Sequence, residues 1–474
     1  MKCTYKNIIT LIYSVMLGCP LYADEDLLQL PNIEEFTLNN GMRVLFSQNY
    51  DYPTVYCHVY TNSGTLDDPQ NGGGHLAGAV GQLITEATAK YPKKGEISEL
   101  MQSFGDDGGR FDHKKMNEYS FELGSYFLKE DVKLALELYA DILQYPIYST
   151  KDHFWIKLAM PFLPKKNMYN KWSLTSTHLK HLYANIKRTN KLKSLLMLTT
   201  NDMKNWHNAY IRPENTTIMI TGDVNYLYVK KLIKKYFSDW NSTGETPNRE
   251  EYTININDKS STKIRFINTD FNDAELRIMQ RSASNEDEWY LSSELAKTIF
   301  NPGHSTGRMQ KIHHQLNLYG EIDQLSSTSA RLPWTKIRGK VKYNNVQKFY
   351  DLIVSEFNNL SSNSIDEAEL ESAKKIISNR LKYELNKPKD FTHFIQREYN
   401  VNGYSLEKIK GAISNLNDVG LDEVNSAAAK IYNPNNFILL VMGNQDSCAT
   451  FLEQFENVEY YEHTEELRES ASSP

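Results

Sequence analysis

Tyr210-Ile211-Arg212-Pro213-Glu214-Asn215-Thr216-Thr217-Ile218-Met219-Ile220-Thr221-Gly222-Asp223 has a counterpart near the other end of the chain, Ile431-Tyr432-Asn433-Pro434-Asn435-Asn436-Phe437-Ile438-Leu439-Leu440-Val441-Met442-Gly443-Asn444. Pro, Asn and Gly stand at the same offsets in both. Each copy reads as a helix end, a Pro-containing turn, an apolar run suited to a buried strand, and a Gly turn. Matched punctuation around matched apolar runs points to an internal duplication. A helical pattern, Val229 to Phe237, follows the first copy.

Working outward, the halves meet in a polar stretch from Asn241 to Ser261 that carries Gly244, Pro247 and the charged cluster Arg249-Glu250-Glu251. The expected division is a first lobe over 24–245, a linker over 246–262 and a second lobe over 263–463. The polar tail, 464–474, is expected to be disordered. Helical periodicity marks Ile97 to Phe104, Lys129 to Leu143, Glu288 to Ile299 and Asn345 to Leu360. Strand patterns mark Arg43 to Ser47, Thr54 to Thr61, Lys263 to Ile267 and Lys336 to Lys342. Runs of strands packed with long helices imply an α+β architecture, two homologous lobes each built on a mainly antiparallel sheet.

The N-terminus reads as an export signal over 1–23. Lys2 and Lys6 precede the mostly apolar run Ile8 to Leu17, and Ala23 offers a small residue for cleavage. A lipoprotein cut before Cys19 fits less well. No later run of eighteen apolar residues exists, so no membrane span is expected in the mature chain. Cleavage removes two lysines and no acid, taking the formal net charge from −6 to −8, which argues against nucleic acid as a partner. Cys57 and Cys448 remain. They are too few and too far apart for a disulfide framework, and Cys57 lies inside a strand pattern, where a buried thiol is expected.

The order of segments resembles the M16 metallopeptidases, the pitrilysin, insulinase and mitochondrial-processing-peptidase family. Leu38-Asn39-Asn40-Gly41-Met42-Arg43-Val44 is similar to the family's opening turn and strand, and Ser63-Gly64-Thr65-Leu66-Asp67-Asp68-Pro69 to the loop before its metal helix. Gly105 to Tyr119 resembles its Gly-Gly turn and edge strand, and Tyr210 to Asp223 the close of its first domain. The second lobe matches more weakly. The resemblance implies two M16-type lobes of the processing-peptidase kind.

It also implies a chemistry. The family's helix carries His-x-x-Glu-His. Two histidines four apart face one side of a helix and reach one zinc, while the glutamate acts as general base on the bound water. The aligned segment here is Gly74-His75-Leu76-Ala77-Gly78-Ala79-Val80. His75 keeps the first ligand position, Gly78 replaces the glutamate and Ala79 the second histidine. Phe154, in His153-Phe154-Trp155-Ile156-Lys157, stands at or near the third ligand. One histidine is not a zinc site, so neither catalysis nor a zinc cofactor at this helix is expected.

The family's second lobe often holds substrate with an arginine and a tyrosine. Here Gly307 and Gly320 fall at those positions, with Arg308 and Tyr319 one place away as candidate substrate-binding residues. His178 and His181, three apart on a helical pattern, share a face, whereas the adjacent His313 and His314 point apart. Neither set has an acidic ligand at family spacing. Family members often work as pairs. The expected role is therefore the non-catalytic, regulatory or substrate-binding subunit of a periplasmic zinc peptidase heterodimer, partnered by a zinc-bearing M16 chain and an extended peptide. Two alternatives stand beside it: a peptide-binding or scaffold protein with no peptidase partner, and an active peptidase with unusual ligands.

Overall fold

A computed structural model describes residues 30–51, 53–68, 76–105, 108–149, 171–184, 186, 198–244, 247, 254–255, 262–284, 286–301, 307–316, 322–327, 332–401, 403 and 405–462. The expected signal and tail lie outside this set, as does most of the expected linker.

The first sheet comprises β1 (Glu34–Thr37), β2 (Arg43–Gln48), β3 (Thr54–Thr61), β4 (His113–Met116), β5 (Phe121–Leu128) and β6 (Thr216–Gly222), in the order β1-β2-β6-β3-β5-β4. The second comprises β7 (Lys263–Asn268), β8 (Ala274–Arg281), β9 (Ile322–Ser327), β10 (Trp334–Val341), β11 (Ile438–Gly443) and β12 (Val458–Glu462), in the order β12-β7-β11-β8-β10-β9. Five strands correspond one to one. β2 runs parallel to β6 as β7 does to β11, and the β6-β3-β5-β4 and β11-β8-β10-β9 ladders are antiparallel. The sixth strand breaks the symmetry: β1 is antiparallel to β2, whereas β12 is parallel to β7. The duplication read from the two quoted segments is thus a repeated sheet.

Those segments do the same work in each lobe. After the Pro turn the Asn215 amide donates to the Arg212 carbonyl at 3.1 Å, and the Asn436 amide to the Asn433 carbonyl at 3.4 Å. β6 and β11 are buried along their whole length. Each ends on a glycine in close quarters, the first with no room for a Cβ and the second with a tight fit. Gly222 has φ of 143°, and a Cβ there would lie 2.2 Å from the Thr54 carbonyl oxygen. A Cβ on Gly443 would lie 3.0 Å from the Tyr343 ring.

Strands buried on both faces need a covering layer on each side. One layer is local. In the first lobe it includes α1 (Leu76–Leu83), α2 (Val132–Gln144), α3 (Thr200–Tyr210) and α4 (Tyr226–Phe237), packed on Val44, Phe46, Val55, Cys57, Val59, Ile218 and Ile220. The other layer is exchanged between lobes. The helix Lys171–Ala184, from the first half, lays Leu179, Leu182 and Tyr183 on Ile267, Met279, Ile438, Leu440 and Met442 of the second sheet. The helix Pro388–Gln396, from the second half, lays Phe391, Phe394 and Ile395 on Leu45 and Met219 of the first. Polar groups fix this second contact: Thr221 Oγ1 meets Thr392 Oγ1 at 2.7 Å, and Gln396 Nε2 donates to the His58 carbonyl at 3.1 Å. Cys57 and Cys448 are buried free thiols in the cores of different lobes, so they do not pair.

Candidate functional site

The loop 62–68 is held before any metal helix begins. Ser63 Oγ donates to the Tyr210 carbonyl at 2.8 Å, and the Thr65 and Leu66 amides donate to the Asn117 and Glu118 carbonyls at 2.9 and 3.1 Å. A Cβ on Gly64 would fall 2.5 Å from the Asn117 oxygen, so this contact requires glycine. Asp67 Oδ2 accepts from the Gly64 amide at 2.9 Å, and Asp68 Oδ1 accepts from the Ala77 amide at 2.7 Å, satisfying one of the open donors at the start of α1. The loop, α1 and the edge strand β4 thus lie side by side.

On α1, Leu76, Ala77, Val80 and Leu83 are buried. Gly81 is pressed against β4, where a Cβ would come within 2.8 Å of Met116 Cβ. Gly78 is exposed, and a Cβ there would meet nothing within 4 Å. Ala79 is half-buried against the core. The positions that resemble the general base and second ligand thus lie on a well-formed helix and offer no donor atom. His75 and Phe154 lie outside the described residues, as does Tyr319.

Arg308 is placed otherwise than expected. It begins the helix Arg308–Leu316 and is buried within the second lobe. Its guanidinium grips Glu369 with two hydrogen bonds, at 2.8 and 2.6 Å, and reaches Glu356 Oε1 at 3.0 Å and Ser364 Oγ at 2.7 Å. Those contacts use its fork inside the lobe instead of presenting it to a peptide. His178 and His181 flank Arg265 of β7, at 3.1 and 3.4 Å, across the lobe boundary. Arg265 also pairs with Glu459. His313 is buried and His314 exposed, so they do point apart.

A different set of residues comes together on the opposite face of the first sheet from α1. Along β3, Val55, Cys57 and Val59 enter the local core, so Tyr56, His58 and Tyr60 project toward the exchanged helix. There His58 meets His113 of β4 and His393 of the helix Pro388–Gln396. Burial, with the neighbouring His113 and Lys389 charges and against the pull of Glu122, lowers His58 to about 4. Burial and the neighbouring imidazoles lower His393 to about 3. Burial works to raise Glu122, but hydrogen bonds from His113 and Ser120 and the nearby imidazoles outweigh it and bring the carboxyl to about 2. Near pH 7 this is two neutral imidazoles beside a carboxylate. No local motif announces the cluster, because its members come from three strands and the other lobe's helix.

A duplicated sheet with a braced loop, a short helix and an edge strand beside it is the architecture set against known proteins. The family described as peptidase M16 inactive domain matches residues 197–377. The zinc protease PqqE of Helicobacter pylori is 24% identical over 251 residues, 49% of this chain and 52% of that protein. The probable zinc protease PqqL of Haemophilus influenzae is 22% identical over 231 residues, 46% of this chain and 24% of that protein. This chain therefore spans about half the length of the first relative and about a quarter of the second. Among solved structures, a protease from Helicobacter pylori superposes with a TM-score of 0.76 at 15% identity, covering 87% of this chain and all of that one. The periplasmic protease PqqL from Escherichia coli superposes with a TM-score of 0.66 at 14% identity, covering 93% of this chain and 50% of that one. Residues 197–377 of this chain are thus similar to the M16 inactive-domain family, and the fold is shared with solved M16 proteins.

Proposed function

We propose that this protein is a non-catalytic M16 subunit that pairs with a zinc-bearing M16 chain in the periplasm and helps hold an extended peptide. One observation carries the reading: the scaffold around α1 is intact to the level of its braces at Ser63, Gly64 and Asp68, while Gly78 and Ala79 carry no donor. A scaffold kept without its chemistry is suited to completing another subunit's site. β4 is the outer strand of its sheet, so a peptide can add to it backbone to backbone. Export is supported by the N-terminal pattern and by the periplasmic setting of PqqL from Escherichia coli. No described helix is long and apolar enough to cross a membrane.

The test is a peptidase assay of this chain alone, an M16 chain with an intact His-x-x-Glu-His alone, and their mixture, using the M16 chain encoded nearest to it. Expected are no activity from this chain, a complex on gel filtration, and faster cleavage by the mixture than by the partner. A partner that cuts equally well alone and forms no complex would sink the proposal.

A further inference from the structure

We propose that His58, His113 and His393, with the Glu122 carboxylate, form a binding site for a zinc-class divalent cation that fastens the second lobe's exchanged helix to the first lobe's sheet. The site is separate from the degenerate helix and does not depend on a peptidase partner.

The three imidazoles offer one nitrogen each, all within 4.8 Å of one another. Their ring centroids are 4.5 Å (His58 to His393), 4.6 Å (His113 to His393) and 5.4 Å (His58 to His113) apart. Tetrahedral zinc with bonds of about 2.0–2.1 Å sets its ligand atoms roughly 3.4 Å apart, so side-chain rotation within the cluster suffices to close it. Glu122 Oε2 lies 3.0 Å from His113 Nε2 and 3.9 Å from His58 Nε2, the position of a fourth ligand. Three imidazoles and a carboxylate suit zinc and its first-row neighbours and do not suit magnesium or calcium.

Two further observations point to a ligand. His58 is buried, its Nδ1 meets Gln396 Oε1 at 2.6 Å, and its Nε2 has no hydrogen-bond partner. A carboxamide oxygen on Nδ1 holds the proton there and leaves Nε2 with a free lone pair, the arrangement that orients a metal-bound histidine. A buried nitrogen left without a partner is costly unless something binds it. The second observation is the space itself. Gly124 of β5 pairs with both His58 and His113 on the flanking strands. A Cβ there would lie 2.6 Å from His58 Cδ2 and from the Tyr56 hydroxyl. Glycine at this position lets the two rings lean together over the strand between them.

The surroundings are braced. Tyr56 Oη is 2.8 Å from His393 Nε2 and orients that ring. Glu122 Oε1 accepts from Asn117 Nδ2 at 2.9 Å and Ser120 Oγ at 2.7 Å, leaving Oε2 for the cluster. The nearby Lys389 is paired with Asp112 at 2.7 Å, which offsets much of its charge. A cation would take the place of the direct His113–Glu122 contact and leave these braces intact.

The experiment uses the full mature chain stripped with chelator and titrated with Zn²⁺ by calorimetry and with Co²⁺ by absorption. Expected are one equivalent bound, Co²⁺ bands of a four-coordinate nitrogen-rich site, and a melting temperature raised by several degrees. His113→Asn and Glu122→Gln should each weaken Zn²⁺ binding at least tenfold while melting like the parent in chelator. Should those variants fold poorly, imidazole ¹⁵N shifts in the unaltered chain report ligation directly: His58, His113 and His393 must all move on adding Zn²⁺. No uptake, uptake indifferent to both substitutions, imidazole shifts elsewhere, or zinc lost on His75→Ala each overturn the proposal.

Discussion

Gly78 and Gly81 sit three residues apart on α1 and meet opposite surroundings. Gly78 is exposed with open space where a Cβ would go, so the site does not demand glycine there. Gly78→Ala should stabilise the protein by about 0.5–1 kcal/mol, because alanine loses less backbone entropy within a helix. Gly81→Ala should destabilise it by roughly 1–3 kcal/mol, because its Cβ would press on Met116 Cβ and force α1 from β4. Urea denaturation of both variants checks the pair; equal effects would contradict the contact. At this scale the lack of a zinc-ligating atom at Gly78 and Ala79 is legible in the sequence, since neither side chain carries one wherever the helix points. The fate of Arg308 was not. Its partners Glu356 and Glu369 belong to other helices, and nothing in its neighbourhood shows that it turns inward.

The exchanged helices decide the elements. The sequence shows β6 and β11 as apolar runs, and such runs imply cover on two faces without saying what supplies the second. The structure assigns that role to Lys171–Ala184 and Pro388–Gln396, each reaching across to the other half's sheet. Ile395 is fully buried against the first lobe although it lies in the second half of the chain. Ile395→Ala should cost about 2–5 kcal/mol, the range for emptying a well-packed core site. The loss should appear in the first lobe: amide hydrogens of β3 and β6 should exchange faster, while those of β8 and β10 change little. Protection lost evenly over both sheets would argue against a local exchange contact. Most marked helices and strands lie where their periodicity placed them, Thr54–Thr61 and Val346–Ser361 among them. Local pattern depends on neighbouring residues, and those are in the sequence.

For the molecule as a whole, acid should be the weak side. His207 is buried in the first lobe, with Tyr148 Oη 2.9 Å from Nδ1 and the Leu143 carbonyl accepting from Nε2 at 3.1 Å. Burial, partly offset by that carbonyl, lowers it from 6.5 to about 4. Because the unfolded chain takes up a proton at higher pH than the folded one, stability holds above about 6.5 and falls as pH drops toward 4. At pH 5 this single group should cost about 2 kcal/mol relative to pH 7. Denaturation at pH 7 and pH 5 should show the fall, and His207→Asn should make it shallower by about one proton; an unchanged slope would remove His207 from the account. Residue identity and local pattern specify the duplication, the α+β lobes, the family resemblance and the absence of a ligand atom at Gly78 and Ala79. Each of these follows from residue identity or from patterns within a few turns of chain. Only the tertiary structure decided that His58 would stand against Gln396, 338 residues away, with His113 and His393 beside it. That meeting depends on one lobe's helix covering the other lobe's sheet, and long-range packing of this kind leaves no periodic trace in the residues it joins.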